Sequence, residues 1–198
     1  MKKIVPSNAV LIHHDAKLMY QGIIYGTYQW QQELFDGSEA TFEMLRRPDT
    51  VEVIAIVDDK IVVLNDEQPH RGARLGFPGG RVDDTDESIL AAAKRETLEE
   101  TGYSFSNWRL VKVWQPQTKI EWFIHLFIAW GVADQTEPHL DGGEKITIEH
   151  LPFGEVKELV AKKAGYLGEI GEVFEDIENM AALRALPEFK GKEIEVWL

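Results

Sequence analysis

The chain has 198 residues, 44% of them hydrophobic, with 34 acidic and 21 basic residues and a formal net charge of -13. This length and composition fit one globular domain with a stable core, and the negative charge argues against a surface that binds nucleic acid. Cysteine is absent, which excludes disulfides and thiolate chemistry. The apolar runs fall well short of the roughly 20 residues needed to cross a bilayer, and the N-terminal residues make a poor secretory signal. We therefore expect a cytoplasmic protein with neither a membrane partner nor a nucleic-acid partner.

The first half of the chain predicts mainly strands. Residues 20–45 are rich in aromatic and β-branched residues and contain Asp36 and Gly37, a pair that favours a tight reversal, so we expect a small antiparallel unit. Residues 50–68 form two continuously apolar segments around a pair of aspartates, which indicates central strands. Residues 71–87 are punctuated by glycines and one proline, which indicates a loop that can include a short strand.

The second half of the chain mixes helices with strands. Residues 86–101 are rich in Ala, Leu and Glu and are followed by Gly102, which predicts a helix that ends at the glycine. After this helix the sequence predicts two strands, an acidic loop and a further strand. It then predicts an amphipathic helix after Pro152 and a last helix at residues 169–186. This order of elements predicts an α+β or α/β sandwich in which helices flank a mixed sheet.

The predicted helix concentrates carboxylates at its C-terminal end. Glu96, Glu99 and Glu100 share one face, because residues three and four positions apart are neighbours on a helix. An acidic helix face is most often simply solvated. Here, however, the like charges weaken the helix and also lie at the negative end of its macrodipole. A bound divalent cation would compensate both effects, and carboxylates suit Mg²⁺ or Mn²⁺.

The segment GRVDDTDESILAAAKRETLEETGY, which begins at Gly80, resembles the Nudix box of the Nudix hydrolases. That box has Gly, five residues, Glu, seven residues, Arg-Glu, a hydrophobic residue, any residue, Glu-Glu, any residue, Gly and a hydrophobic residue. The matching residues are Glu87, Arg95, Glu96, Glu99, Glu100, Gly102 and Tyr103. Six residues instead of five separate Gly80 from Glu87, so we place one extra residue within 81–86, and Thr97 stands where a hydrophobic residue is usual.

The resemblance implies a Nudix-type α/β/α sandwich and a hydrolase that acts on a nucleoside diphosphate linked to another group. Bound Mg²⁺, with Mn²⁺ as the alternative cation, would bridge the diphosphate oxygens and activate a water molecule. The metal ligands would be Glu96, Glu99, Glu100 and the backbone carbonyl of Gly79. An ion pair between Arg95 and Glu87 would orient these ligands.

The flanking sequence resembles the ADP-ribose and nucleoside-diphosphate-sugar pyrophosphatase branch of the family over roughly residues 20–165. In that branch an N-terminal segment forms a small sheet that is exchanged across a dimer. We therefore expect residues 1–48 to be a β-rich dimerisation segment and residues 49–198 to be the hydrolase domain with its C-terminal helices. Pro116 lies near the position associated with ADP-ribose specificity. The loop after Pro116 is shorter than usual, and Gly76 stands where this branch often has a glutamate. The identity of the sugar therefore stays open.

The resemblance also suggests a general base. Glu144 lies in an acidic loop that matches the branch, and a loop glutamate could swing in to deprotonate the attacking water once substrate binds. An exposed loop carboxylate without a catalytic role is the plain alternative for Glu144. Glu100 is the competing base, as in smaller members of the family.

Four further residues are candidates for binding the substrate. Arg71 and Arg74 could contact the diphosphate, because a planar guanidinium suits phosphate oxygens. Tyr28 and Trp30 could stack on a base, although aromatic residues of this kind more often lie in a core or a dimer interface.

The sequence thus predicts a homodimeric, Mg²⁺-dependent pyrophosphohydrolase that cleaves ADP-ribose or a related nucleoside diphosphate sugar to a nucleoside monophosphate and a sugar phosphate. One alternative is a nucleoside triphosphate or dinucleoside polyphosphate pyrophosphohydrolase. Another is a non-catalytic Nudix-like ligand sensor, against which the full set of glutamates argues.

Overall fold

The computed structural model describes residues 2–140 and 142–195. Their strands are β1 (Lys2–Val5), β2 (Lys17–Gln21), β3 (Gly26–Glu33), β4 (Glu39–Arg46), β5 (Thr50–Val57), β6 (Lys60–Gln68), β7 (Arg71–Gly76), β8 (Gly79–Arg81), β9 (Tyr103–Trp114), β10 (Ile120–Glu121), β11 (Ile124–Gln135), β12 (Lys145–Pro152) and β13 (Lys192–Glu195). Their helices are α1 (Ile89–Thr101), α2 (Phe153–Ala161), a 3₁₀ helix (Gly165–Ile170), α3 (Gly171–Glu175) and α4 (Met180–Arg184). Among these residues no helix combines the length and the hydropathy that a membrane crossing requires.

The largest sheet is mixed and has seven strands. Its main path has the order β12-β6-β5-β11-β9, in which β5 and β11 are parallel and the other neighbours are antiparallel. β5 and β6 pair with each other next to their hairpin, where Ile56 lies opposite Ile61. Farther along, β8 pairs with β5 and β7 pairs with β6. The two short strands therefore occupy the space where β5 and β6 diverge.

Both faces of this sheet are covered, as the continuously apolar strands predict. On one face Val51, Val53 and Ala55 pack with Ala92 and Ala93 of α1. On the other face the apolar residues pack with the C-terminal helices, and this second cluster includes Ile54, Ile56, Ile61, Val63, Val156, Leu167, Phe174 and Leu183. Successive residues of β5 face opposite layers because side chains alternate along a strand. The predicted α/β/α sandwich with a mixed sheet is confirmed.

A second sheet has the order β10-β4-β3-β2 and contains the predicted antiparallel unit. Gly37 makes the turn between β3 and β4 with a φ of 82°, a conformation that favours glycine. β10, from a later part of the chain, adds to β4 in parallel, and its buried Glu121 accepts a hydrogen bond from Arg46 Nε at 2.9 Å. β1 pairs with β13 near the other end of the chain. The N-terminal segment is thus attached to later elements, and the division into residues 1–48 and 49–198 stays a prediction.

Three elements differ from the sequence-based expectation. The helix expected at residues 86–101 begins only after Ser88, because the Ser88 side chain caps it by accepting a backbone hydrogen bond at 3.1 Å. Residues 71–87, expected to be mainly loop, contain β7 and β8. Residues 169–186, expected to be one helix, contain the end of the 3₁₀ helix followed by α3 and α4, because Asn179 caps α4 as a separate helix.

Candidate active site

Strand β8 lies close against α1, and its two glycines permit this approach. A Cβ atom added at Gly80 would lie 2.6 Å from the Glu96 carboxylate, and one added at Gly79 would lie 2.1 Å from the Val51 carbonyl oxygen. The Gly79 N–H donates a hydrogen bond of 2.7 Å to Glu100 Oε2. Any other residue at these two positions would displace the carboxylate or the backbone. The glycines therefore bring the carboxylates of α1 directly against the backbone of β8.

Glu96 and Glu100 are carboxylates that the fold removes largely from water. Burial raises the pKa of Glu96 to about 7, and the charges of Glu99 and Glu144 add to this rise while Arg95 opposes it. Burial also raises the pKa of Glu100 well above its ordinary value, against an opposing backbone hydrogen bond. A divalent cation would relieve this repulsion, and carboxylate oxygens are the ligands that Mg²⁺ and Mn²⁺ prefer. The donor set therefore fits the predicted cation.

Arg95 connects the helix to the loop that precedes it. Its guanidinium donates two hydrogen bonds to the Asp86 carboxylate, at 3.0 Å from Nε and 2.9 Å from Nη2. Nη1 donates to Glu96 at 2.9 Å and to Glu99 at 3.1 Å, and Nη2 also donates to the Arg81 carbonyl at 2.9 Å. These bonds hold two of the four candidate metal ligands, Glu96 and Glu99, in place.

The predicted ion pair between Arg95 and Glu87 is wrong, because Asp86 takes that position. Hydrogen bonding to Arg95 lowers the pKa of Asp86, whose side chain is only 6% exposed, whereas Glu87 is exposed. Five residues separate Gly80 from Asp86, which is the usual spacing of the box. The pair of Asp86 with Arg95 is compatible with an extra residue after Asp86, and the placement of the insertion within residues 81–86 stays a prediction.

The loop between β11 and β12 brings Glu144 to the same place. Its first residues are fixed to the end of α1, because Thr136 N donates to the Gly102 carbonyl at 2.8 Å and His139 N donates to the Glu99 carbonyl at 2.7 Å. Gly102 has a φ of 73°, and a Cβ atom there would lie 2.0 Å from the Thr136 oxygen. This attachment explains how a residue distant in sequence lines the cleft beside the glutamates of α1.

The glutamates lie in a cleft of about 580 Å³, a size typical of small-molecule sites. Arg71 and Arg74 from β7 line this cleft, as predicted for residues that contact the substrate. Arg71 is already ion-paired with Asp66. Both guanidiniums lie 5.5 Å from the ring centre of Tyr166 and make cation–π contacts with it. The cleft therefore combines carboxylates and guanidiniums around one open volume.

Three predicted substrate-binding residues are not brought to this cleft within one chain. Tyr28 lies under the Arg46 guanidinium, at 4.7 Å, and lines a separate cavity of about 350 Å³. Trp30 packs at 6.0 Å from the Phe42 ring in the second sheet. Pro116 follows β9 and does not line the cleft.

Sequence reasoning also missed several residues that line the cleft. Glu52 lines the cleft and is the one acidic residue in the apolar strand β5. A charged residue within an apolar strand is the sequence feature that could have indicated a functional position. Trp122 stacks under the Arg47 guanidinium at 4.5 Å. Tyr166 and Glu169 come from the 3₁₀ helix. Nothing local in the sequence places these last residues near Glu96, because tertiary packing alone brings them there.

Comparison with known proteins agrees with this geometry. A family model of the NUDIX domain matches residues 46–170, which is more than half of the chain, and the chain therefore belongs to the Nudix family. A methanol dehydrogenase activator from Bacillus methanolicus is 27% identical over 139 residues, covering 68% of this chain and 74% of that protein. An ADP-ribose pyrophosphatase from Bacillus subtilis (strain 168) is 24% identical over 173 residues, covering 84% of this chain and 92% of that protein.

A solved structure supports the fold. The crystal structure of an ADP compounds hydrolase superposes with a TM-score of 0.61 at 20% identity, covering 75% of this chain and 81% of that chain. The predicted membership of the Nudix hydrolase family and the predicted fold are confirmed.

The corrected ion pair leads to a test of stability. We expect Asp86→Asn to lower the free energy of unfolding by about 2 kcal/mol, because Arg95 loses the charged partner that is buried beside it. Glu87→Gln is the matched control and should change the free energy of unfolding by less than about 0.5 kcal/mol, because Glu87 is exposed. Urea denaturation measures both. Equal losses in the two variants would contradict the assignment of Asp86.

Proposed function

We propose that this protein is a metal-dependent hydrolase that cleaves the diphosphate of ADP-ribose, or of a related nucleoside diphosphate sugar, to a nucleoside monophosphate and a sugar phosphate. The observation that carries the proposal is one cleft that holds the α1 glutamates, loop residue Glu144 and the pair Arg71 and Arg74. The relative from Bacillus subtilis named ADP-ribose pyrophosphatase, of which the match covers 92%, supports this substrate class.

The carboxylate side of the cleft is assigned to the cation. The residues proposed to hold it are Glu96, Glu99, Glu100 and the backbone carbonyl of Gly79. We assign Mg²⁺, with Mn²⁺ as a substitute, and such a cation when bound neutralises the diphosphate and lowers the pKa of a water molecule. Arg95 is a positioning residue, because it donates hydrogen bonds to both Glu96 and Glu99.

The other residues bind the substrate and move a proton. Arg71 and Arg74 hold the diphosphate oxygens, and Tyr166 keeps both guanidiniums in the cleft. Glu144 accepts a proton from the attacking water as the water oxygen bonds to phosphorus and the anhydride P–O bond breaks. Glu100 is the competing base, because it lies in the same cleft.

The first test of this proposal is hydrolysis of ADP-ribose with Mg²⁺ and with a chelator. We expect AMP and ribose phosphate as products, no turnover with chelator, and a loss of roughly 100-fold or more in Glu100→Gln, because an electrostatic contact to the reacting centre is removed. Glu178→Gln is the control, since Glu178 is exposed and outside the cleft. Turnover of Glu100→Gln within a few-fold of the wild type would contradict the metal-site assignment.

The same assay identifies the base. Removal of a general base is expected to cost roughly 100-fold or more in kcat, so Glu144→Gln should lose activity to that extent. If Glu144→Gln retains nearly full activity while Glu100→Gln is inactive, the base is Glu100.

The proposal includes a homodimer and a cytoplasmic location. β2 and the turn after it expose large apolar side chains, among them Tyr20 at 68% and Ile23 at 100% exposure, and a second copy of residues 1–48 would cover them. In such a dimer Tyr28, Trp30 and Pro116 would approach the partner chain.

The proposed cytoplasmic location is tested by cell fractionation, which should recover the protein in the cytoplasmic fraction.

Light scattering tests the dimer. We expect the mass of two chains for the wild type and of one chain for Tyr20→Asp, because a charge in an apolar interface is costly. A wild-type mass of one chain would contradict the dimer.

A further inference from the structure

The turn that leads into β2 brings two imidazoles and a carboxylate together at the protein surface. His13, His14 and Asp15 each present one atom that could bind a metal ion, and these atoms all lie within 4.8 Å of one another. The three residues lie outside the cleft that holds the α1 glutamates. The reaction proposed above therefore does not use this cluster.

The distances within the cluster suit one shared cation. Asp15 Oδ2 lies 3.8 Å from His13 Nδ1 and 3.1 Å from His14 Nε2. Ligands of a tetrahedral Zn²⁺ lie about 3.4 Å from one another, so the two observed distances bracket the value that one ion requires. His13 Nδ1 accepts a hydrogen bond of 3.3 Å from the backbone N–H of Asp15. This nitrogen therefore carries the lone pair that a metal ligand needs, and a cation would replace that long hydrogen bond.

Contacts on both sides fix the position of the turn. The Ala16 N–H donates to the His13 carbonyl at 2.9 Å, which closes the turn. Just before it, the Ile12 N–H donates to the carboxylate of the buried residue Glu121 at 2.7 Å. The His13 ring stacks on the Trp30 ring, with 6.2 Å between the centroids and 15° between the planes. Ligands held in this way lose less conformational freedom when they bind a cation.

The ligand types decide which cation fits the cluster. Two imidazole nitrogens with one carboxylate oxygen favour a transition metal such as Zn²⁺ or Cu²⁺, whereas Mg²⁺ prefers oxygen ligands. Three protein ligands leave a fourth position of a tetrahedral Zn²⁺ for water. The side chains of His14 and Asp15 are 81% and 74% exposed, so a hydrated cation can reach them from solvent.

We propose that His13, His14 and Asp15 form a second metal site, which binds a divalent transition-metal cation such as Zn²⁺ and cross-links the turn before β2. The proposal is independent of the proposed hydrolysis, because it concerns metal binding outside the cleft. One chain would then hold two cation sites of different chemistry. The carboxylates of α1 would select Mg²⁺ or Mn²⁺, and the imidazoles would select Zn²⁺.

The test is a calorimetric titration of the protein, without a histidine tag, with Zn²⁺ in excess Mg²⁺. We expect the wild type to bind one Zn²⁺ per chain at this site. His14→Ala and Asp15→Asn should bind it about tenfold or more weakly, because even the loss of a residue that only supports a metal ligand costs that much. His70→Ala is the matched control, since His70 is an exposed histidine outside the cluster. Glu100→Gln should also keep the wild-type affinity, which separates this site from the cleft.

A second measurement identifies the ligand atoms. With one equivalent of Cu²⁺, the electron paramagnetic resonance spectrum of the wild type should show splitting by imidazole nitrogens, and a variant with both His13→Ala and His14→Ala should lose it. Circular dichroism checks that each variant is folded. Equal Zn²⁺ affinity of the wild type, His14→Ala and Asp15→Asn would overturn the proposal. An equal loss of affinity in His70→Ala, or a spectrum without nitrogen splitting, would overturn it as well.

Discussion

The site depends on the close contact between α1 and the glycine strand β8. A Cβ atom at Gly80 would lie 2.6 Å from the Glu96 carboxylate, and the Gly79 N–H donates to Glu100 at 2.7 Å. β8 itself pairs with β5, and the carbonyl of its last residue, Arg81, accepts a hydrogen bond from Arg95 of α1 at 2.9 Å. Without this approach, the carboxylates of α1 would lie on an ordinary solvated helix face. With it, they are partly desolvated and directed into a shared cleft.

The concentration of negative charge is balanced by a small number of interactions. Arg95 donates hydrogen bonds to Asp86, Glu96 and Glu99 and lies 3.8 Å from the Asp83 carboxylate, so one guanidinium interacts with four carboxylates. Thr97 occupies a buried position where a hydrophobic residue is usual in the box, and its hydroxyl donates to the Ala93 carbonyl at 2.7 Å. The polar hydroxyl of Thr97 therefore has a hydrogen-bond partner within the helix. The remaining repulsion among the carboxylates is what a divalent cation would relieve.

Much of this arrangement could be predicted from local sequence. The spacing of Glu96, Glu99 and Glu100, with Gly102 after them, predicts a helix with one acidic face, and the apolar runs predict central strands. The spacing predicts Glu87 as the partner of Arg95, because it does not reveal that Ser88 caps α1, which leaves Glu87 exposed. The helix begins at Ile89, three residues later than expected, and Asp86 rather than Glu87 meets Arg95.

The residues that could not be predicted reach the cleft through tertiary packing. Glu169 depends on the contact of Gly165 with β7, which no local pattern reveals. The aromatic residues Tyr28 and Trp30 suited a base-binding role by type alone, and within one chain they belong to the second sheet. Residue type indicates what a side chain can do, whereas packing decides where it can do it.

The most direct test of the metal site is Mn²⁺ binding, followed by electron paramagnetic resonance, in the wild type and in Gly80→Ala. An alanine at position 80 would displace the end of the Glu96 side chain without unfolding the protein, so the account predicts Mn²⁺ binding by the wild type and much weaker binding by the variant. Gly142→Ala, where a Cβ atom would meet nothing within 4 Å, should bind as the wild type does. Equal Mn²⁺ affinity of the wild type and Gly80→Ala, or no binding by either, would contradict the account.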